Sequence, residues 1–214
     1  MAGQARHRAL VAVLGALALA LAGCGASKDE GISGGGKVIG RTVTVYSLTN
    51  DPGGAGRSYV DAEKLALQEA GGRAGSLAVN FTSLDLGGAD DKLQAQAARR
   101  AISDPQIIAA IVDATTVTVP LFNAAGILQV APAGEAALMR DPQALPSGKR
   151  TGDALAPTAD SPTFKARFRA EFGRDPAPSA EAGYTAMQRV LKAIGDAGAA
   201  GNDRNRVIDA YFAT

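Results

Sequence analysis

The chain has 214 residues, with 22 Lys and Arg against 21 Asp and Glu, a formal charge of +1. That near-neutral balance makes no electrostatic case for nucleic acid or for an anionic surface. The only His is His7 and the only Cys is Cys24. The rest of the chain therefore lacks the groups needed for Cys or Ser–His nucleophiles, the usual zinc sites or a disulfide framework.

Arg6, His7 and Arg8 precede an apolar run from Ala9 to Leu21, followed by Leu21-Ala22-Gly23-Cys24. A basic start, a short apolar stretch and small residues before a cut site make a secretory signal. The run is too short for a comfortable membrane span. Removing residues 1–23 takes away Arg6 and Arg8 and no acid, so the formal charge falls from +1 to −1. Residues 24–40, rich in Ser and Gly, read as a flexible tether with a reach on the order of 20 Å.

The folded part is expected over residues 41–214, with a core at 41–133, a crossover loop at 134–160 and returning helices at 161–214. Arg41 to Leu48, centred on TVTVY, is a β-branched run and a strand. A Gly-rich loop leads into an amphipathic helix. It places Tyr59, Ala62, Leu65, Ala66 and Ala70 on one stripe and Asp61, Glu63, Lys64 and Gln68 opposite. Gly71-Gly72 stops it. Leu77 to Leu84 forms the next strand, ending at Asp85. Asp90 caps a helix through Ser103 with Leu93, Ala97 and Ala101 inward, and Asp104-Pro105 ends it.

The apolar run Ile107 to Val112 reads as a strand buried on both faces. A hydroxyl-rich turn follows (Asp113, Thr115, Thr116, Thr118), then a short helix stopping at Gly126 and a strand from Ile127 to Val130. The order β-α-β-α-β-α-β predicts an α/β fold: a parallel sheet with helices on both faces. In such sheets ligands sit beyond the carboxyl ends of the strands, which makes Asp113 to Thr118 the first place to look. The 134–160 segment, broken by Pro142, Pro146, Gly148, Gly152 and Pro157, suits a crossover with one short helix, Glu135 to Arg140. Ser161-Pro162 then starts a helix carrying Phe164, Phe168 and Phe172 and ending at Gly173. Two more follow: Ser179 to Ala197, with Tyr184, Met187, Leu191 and Ile194 inward, and Asp203 to Phe212.

The Leu21-Ala22-Gly23-Cys24 arrangement resembles the lipobox of bacterial lipoproteins, in which the Cys carries the lipid. YSLTNDPGGAGRSYVDAEKLALQEAGG, VNFTSLD, the unit from Ile107 to Ala133, and FKARFRAEFGRDPAPSAEAGYTAMQRVLKAI together resemble the substrate-binding lipoproteins of ABC transporters. The group is the branched-chain amino acid (leucine/isoleucine/valine) type, with the type I periplasmic-binding fold. Members of that family are two-lobed and clamp the ligand between the lobes. Here the match runs through the first lobe to about Arg150 and resumes near Thr151, so one lobe is expected, with most of the second missing.

The resemblance implies ligand contacts at Ser47, Thr49 and Asn50 after the first strand, and at Asp113, Thr115 and Thr116 in the hydroxyl turn. It implies no cofactor, no metal and no catalytic residue. Its partners would be a small-molecule ligand, an ABC-transporter permease, and the membrane through Cys24. The location would be the extracytoplasmic face of the bacterial cell membrane. In the family the turn holds an α-carboxylate; Asp113 would repel that group unless it binds the ammonium instead. Thr115, Thr116 and Thr118 read equally as capping hydroxyls, Ser47 and Thr49 as strand-end solvation, and Asp85 as a cap. Gly53-Gly54-Ala55-Gly56 lacks a third Gly at position 59 and a following Gly-Lys-Ser/Thr, so it is no nucleotide loop. Two functions are thus in view: a solute-binding lipoprotein, possible only weakly with one lobe, or a one-lobe interaction protein that dimerises through the exposed inter-lobe face.

Overall fold

The computed structural model describes residues 36–213 other than 52, 133, 135 and 157. The expected signal and Cys24 lie outside the described residues.

Strand β1 (Thr42–Thr49), TVTVYSLT, is buried from Val43 onward. Only a strand with neighbours on both edges and layers on both faces is so enclosed. It pairs in parallel with β3 (Leu77–Asp85) on one side and β4 (Ile107–Val112) on the other. β4 continues to β5 (Leu128–Ala131), also parallel. The sheet order is β2-β3-β1-β4-β5-β6, and two of these strands were not expected. β2 (Arg73–Ala74) is a two-residue antiparallel partner of β3, too short to show periodicity. β6 (Gly152–Ala154) pairs in parallel with β5 and lies inside the 134–160 segment read as a crossover loop.

A buried polar network explains why that segment settles against the sheet edge. Asn123 Nδ2 donates to Lys149 O at 2.8 Å and to Thr151 Oγ1 at 2.9 Å, and its Oδ1 accepts from Ser147 N at 2.9 Å. Instead of the helix expected from Glu135 to Arg140, the described residues form two 3₁₀ turns, Leu138–Arg140 and Pro142–Ala144. The tether also needs correcting. Val38 is buried in the main core, and its backbone N–H donates to Asn202 O at 2.7 Å, so the lobe begins before residue 40.

Two apolar layers flank the sheet. On one face, Val43, Val45, Val79, Ile108 and Ile111 pack under α1 (Ala55–Glu69), α4 (Pro162–Phe172), α5 (Glu181–Asp196) and α6 (Arg204–Phe212). On the other, Tyr46, Leu48, Ala110 and Val112 pack against α2 (Asp91–Ile102) and α3 (Thr118–Ala124). The late helices thus return to the early strands.

Helix α1 departs from its expected two-sided pattern because those helices cover its back. Asp61 is buried, with Arg174 Nη2 at 2.6 Å from Oδ2, and Ser58 Oγ accepts from Arg174 Nη1 and Ala177 N, both at 3.0 Å. Glu63 is buried as well, while Ala70, expected inward, is exposed. At the crossing of α1 and α5, a Cβ on Gly183 would come within 2.8 Å of Tyr59 O, so any side chain there would force the helices apart. In α2, Leu93 is 48% exposed and the inward position belongs to Gln94. Gln94 Nε2 donates to Gly88 O at 2.6 Å and its Oε1 accepts from Thr115 Oγ1 at 2.8 Å, a polar tie that an apolar stripe cannot foretell.

Helix α4 starts as expected: Ser161 Oγ accepts from Phe164 N at 3.1 Å, and Gly173 ends it with a left-handed φ of 68°. Phe164 and Phe168 are fully buried, with ring centroids 5.6 Å apart. Truncating such a ring loses its transfer energy and leaves a cavity. Phe168→Ala should cost about 3–5 kcal/mol, read as a lower urea midpoint at unchanged slope.

Candidate functional site

The chain leaves β1 for β3 on one side and reaches β4 on the other, so the connections diverge at the carboxyl ends of β1 and β4. Such a divergence marks the crevice position at which doubly wound sheets bind ligands. Here it is bounded by Thr49 and Asn50 at the end of β1 and by Asp113 just past β4. The two ends are stitched together. Asn50 N donates to Asp113 Oδ2 at 2.8 Å, Asp113 N to Leu48 O at 3.1 Å, and Thr49 Oγ1 to Asn50 O at 3.1 Å.

Burial pushes the Asp113 carboxyl above its ordinary value, against the backbone N–H and side chain of Asn50 and the Thr49 hydroxyl, which pull it down. The Tyr59 phenol on α1 is also raised, first by burial and then by the negative charges of Asp113 and Asp160. Asp160 in turn accepts from Glu181 N at 2.8 Å, so the start of α5 is tied to the same end of the sheet. The end of the sheet is acidic and carries a phenol, while the Asn50 carboxamide is turned onto Asp113 with its oxygen buried; it suits a group that brings positive charge.

Beneath it lies a carboxyl that sequence reasoning placed in solvent. Glu63 is enclosed, and burial holds it well above the ordinary range. The Ser47 hydroxyl opposes that shift, Asp113 adds to it, and Lys64 opposes it. Ser47 Oγ and Glu63 Oε2 are both buried, and neither closes a hydrogen bond of good geometry. No pattern in the sequence marks Glu63, because its position on α1 alternates with charged residues.

The six sequence-predicted contacts are therefore unequal. Ser47 lies under the crevice facing Glu63 and is only 1% exposed. Thr49, Asn50 and Asp113 come together at the strand ends. Thr115 is committed to the turn: its Oγ1 accepts from Val117 N at 3.2 Å and Thr118 N at 3.0 Å while donating to Gln94. Thr118 Oγ1 accepts from Thr115 N and donates to Asp113 O, both at 3.0 Å. Thr115 Oγ1 thus takes the N–H of Val117 and that of Thr118, the first residue of α3, and both are then closed to a ligand. Thr116 is exposed, and its hydroxyl makes no hydrogen bond among the described residues.

No protein-family model and no curated protein matches the chain in sequence. Solved structures do match in fold. The branched-chain amino acid transporter substrate-binding protein LivJ from Streptococcus pneumoniae, in complex with isoleucine, aligns with a TM-score of 0.60 at 10% identity, over 79% of this chain and 87% of that one. A solute-binding protein of an ABC transporter from Rhodopseudomonas palustris, in complex with 3,4-dihydroxybenzoic acid, aligns at 0.63 and 12% identity, over 80% and 85%. A leucine-binding protein from Thermotoga maritima aligns at 0.57 and 15% identity, over 79% and 87%. These neighbours are transport proteins rather than enzymes. The described residues have the parallel α/β sheet that the order of elements predicted, and the architecture of one lobe of the periplasmic-binding fold that the resemblance implied.

Two measurements test this geometry. Thr115→Ala should cost about 0.5–2 kcal/mol as a lost helix cap, whereas Thr116→Ala should stay within about 0.5 kcal/mol of the parent; denaturant titration of both separates them. Glu63 binds its proton more tightly folded than unfolded, so its contribution is complete below about pH 4.3 and is lost as pH rises through the folded value. Melting temperature should therefore fall over that window, and Glu63→Gln should flatten the fall, with a residue left by Asp113.

Proposed function

We propose that this chain is an extracytoplasmic solute-binding lipoprotein of an ABC importer, anchored through Cys24, whose ligand class is an amino acid of the branched-chain type. The observation that carries the reading is the crevice at the carboxyl ends of β1 and β4, in a fold shared with solute-binding proteins of such transporters. Asp113, held by Asn50, takes the ammonium of the ligand, and Thr116 supplies the hydroxyl that the turn leaves open. An acidic crevice favours an ammonium-bearing ligand over an aromatic acid such as the one seen in the Rhodopseudomonas palustris protein.

One lobe leaves much of a bound ligand wet, whereas good small-molecule sites bury most of it. In the two-lobed clamp of the resemblance, hinge closure completes that burial. Binding by this chain is accordingly weak, and its role would be to present solute to a permease partner.

The alternative, a one-lobe protein that pairs with itself through the same end, needs an apolar face. That end offers Asn50, Asp113 and Thr116, with Leu93 the large apolar side chain exposed beside it among the described residues. This polar rim favours a solute.

Isothermal titration with leucine, isoleucine and valine, with 3,4-dihydroxybenzoate as control, tests the reading. The expected outcome is affinity weaker than micromolar for the amino acids, lost in Asp113→Asn, and a monomer by light scattering. Micromolar binding by the monomer would overturn the open-lobe account, and a stable ligand-free dimer would favour the interaction protein.

A further inference from the structure

Away from the crevice, on the outer edge of the sheet, β6 and the ends of α5 and α6 enclose a pocket of about 560 Å³. Its charged lining is Arg140, Arg150, Arg189 and Lys192 against Asp153 and Asp196. We propose that this pocket binds a phosphate monoester as its dianion, with the phosphate held by Arg140, Arg189 and Lys192 and the ester body lying against Phe212 and Ala193.

The charges themselves argue for a dianion. Four cations face two carboxylates, so the pocket carries an excess of two positive charges. Asp153 sits at the centre with a side chain only 17% exposed, and it gathers three guanidinium groups. Arg150 is the one it holds closely. That side chain also donates from Nε to Gly152 O at 3.0 Å and lies 4.4 Å over the Phe212 ring, so it is oriented from three sides.

Arg189 Nη1 and Arg140 Nη2 stand 3.7 and 4.0 Å from Asp153. Those separations are beyond a hydrogen bond, and both side chains are more than half exposed. The planar donor fork of Arg140 therefore remains open, while Arg189 is shared between Asp153 and the Tyr211 hydroxyl; forks of this shape recognise phosphate oxygens in pairs. Lys192 adds a mobile point charge from α5, paired along the helix with Asp196. The Tyr211 hydroxyl donates to Asp153 Oδ2 at 3.4 Å, which helps fix the carboxylate that arranges the arginines.

The volume selects among anions. A pocket of about 560 Å³ falls in the range of small-molecule sites and exceeds what a bare inorganic ion fills. The apolar wall of Phe212, Ala193 and Ala210 is the place for a small organic body. Free esters and the headgroup of a phosphatidate share this chemistry.

The test is titration of the full chain with glycerol phosphate and a short-chain soluble phosphatidate, alongside inorganic phosphate, glycerol and sodium chloride at matched ionic strength. Expected is saturable binding of glycerol phosphate, tighter than inorganic phosphate, absent with glycerol, and weakened at least tenfold in Arg140→Gln and in Arg189→Gln. Both residues are largely exposed, so circular dichroism and the melting temperature should hold in the variants. Equal binding of the phosphatidate identifies a free ester as ligand, and tighter binding identifies the lipid headgroup; either supports the site. A response that matched chloride reproduces, or that the two variants leave unchanged, overturns it.

Discussion

The enclosure of β1 is the constraint from which the rest of the molecule follows. A strand hydrogen-bonded on both edges and buried on both faces needs a parallel neighbour on each side and a helical layer above and below. β3 and β4 supply the edges. α2 and α3 supply one face, and α1 with the returning helices supplies the other. The same arrangement sends the chain to opposite faces after β1 and after β4, and that divergence sets the crevice position.

Electrostatics of the crevice follow from how its strand ends are closed. The Asp113 carboxylate caps the Asn50 backbone N–H, so an acidic group is built into the floor for a structural reason before any ligand arrives. The Thr115 hydroxyl does the equivalent for Thr118 N at the start of α3. What is left facing outward is negative charge and, among the described residues, the unpartnered Thr116 hydroxyl. The outer pocket around Asp153 has the opposite sign. The two regions of the lobe thus attract different chemistry, and the separation arises from which strand edge each occupies.

Buried polar groups mark where the tertiary structure departs from simple periodicity. Asp61, Glu63 and Gln94 all occupy positions that a helical wheel assigns to solvent or leaves unmarked. Asp61 is covered by the loop after α4 and met by Arg174. Gln94 is covered by the hydroxyl turn and met by Thr115. Glu63 is covered without a full complement of partners, and the cost appears as a raised proton affinity rather than as a salt bridge.

Much was legible in the chain itself. The β-branched run at TVTVY, the unbroken apolar run from Ile107 to Val112, the Asp90 and Ser161 caps and the Phe repeat on α4 each act over a few residues, so local pattern determined their type and nearly their ends. The absence of His and Cys beyond position 24 likewise excluded whole classes of chemistry without any coordinates. The tertiary structure alone decided that the 134–160 segment adds a strand, that Val38 belongs to the core, and which hydroxyls of the turn remain open. It also decided that α1 is covered on its polar side. Periodicity reports the one face an element must bury to form, whereas these outcomes depend on a second surface supplied by residues distant along the chain, and no local pattern carries that information.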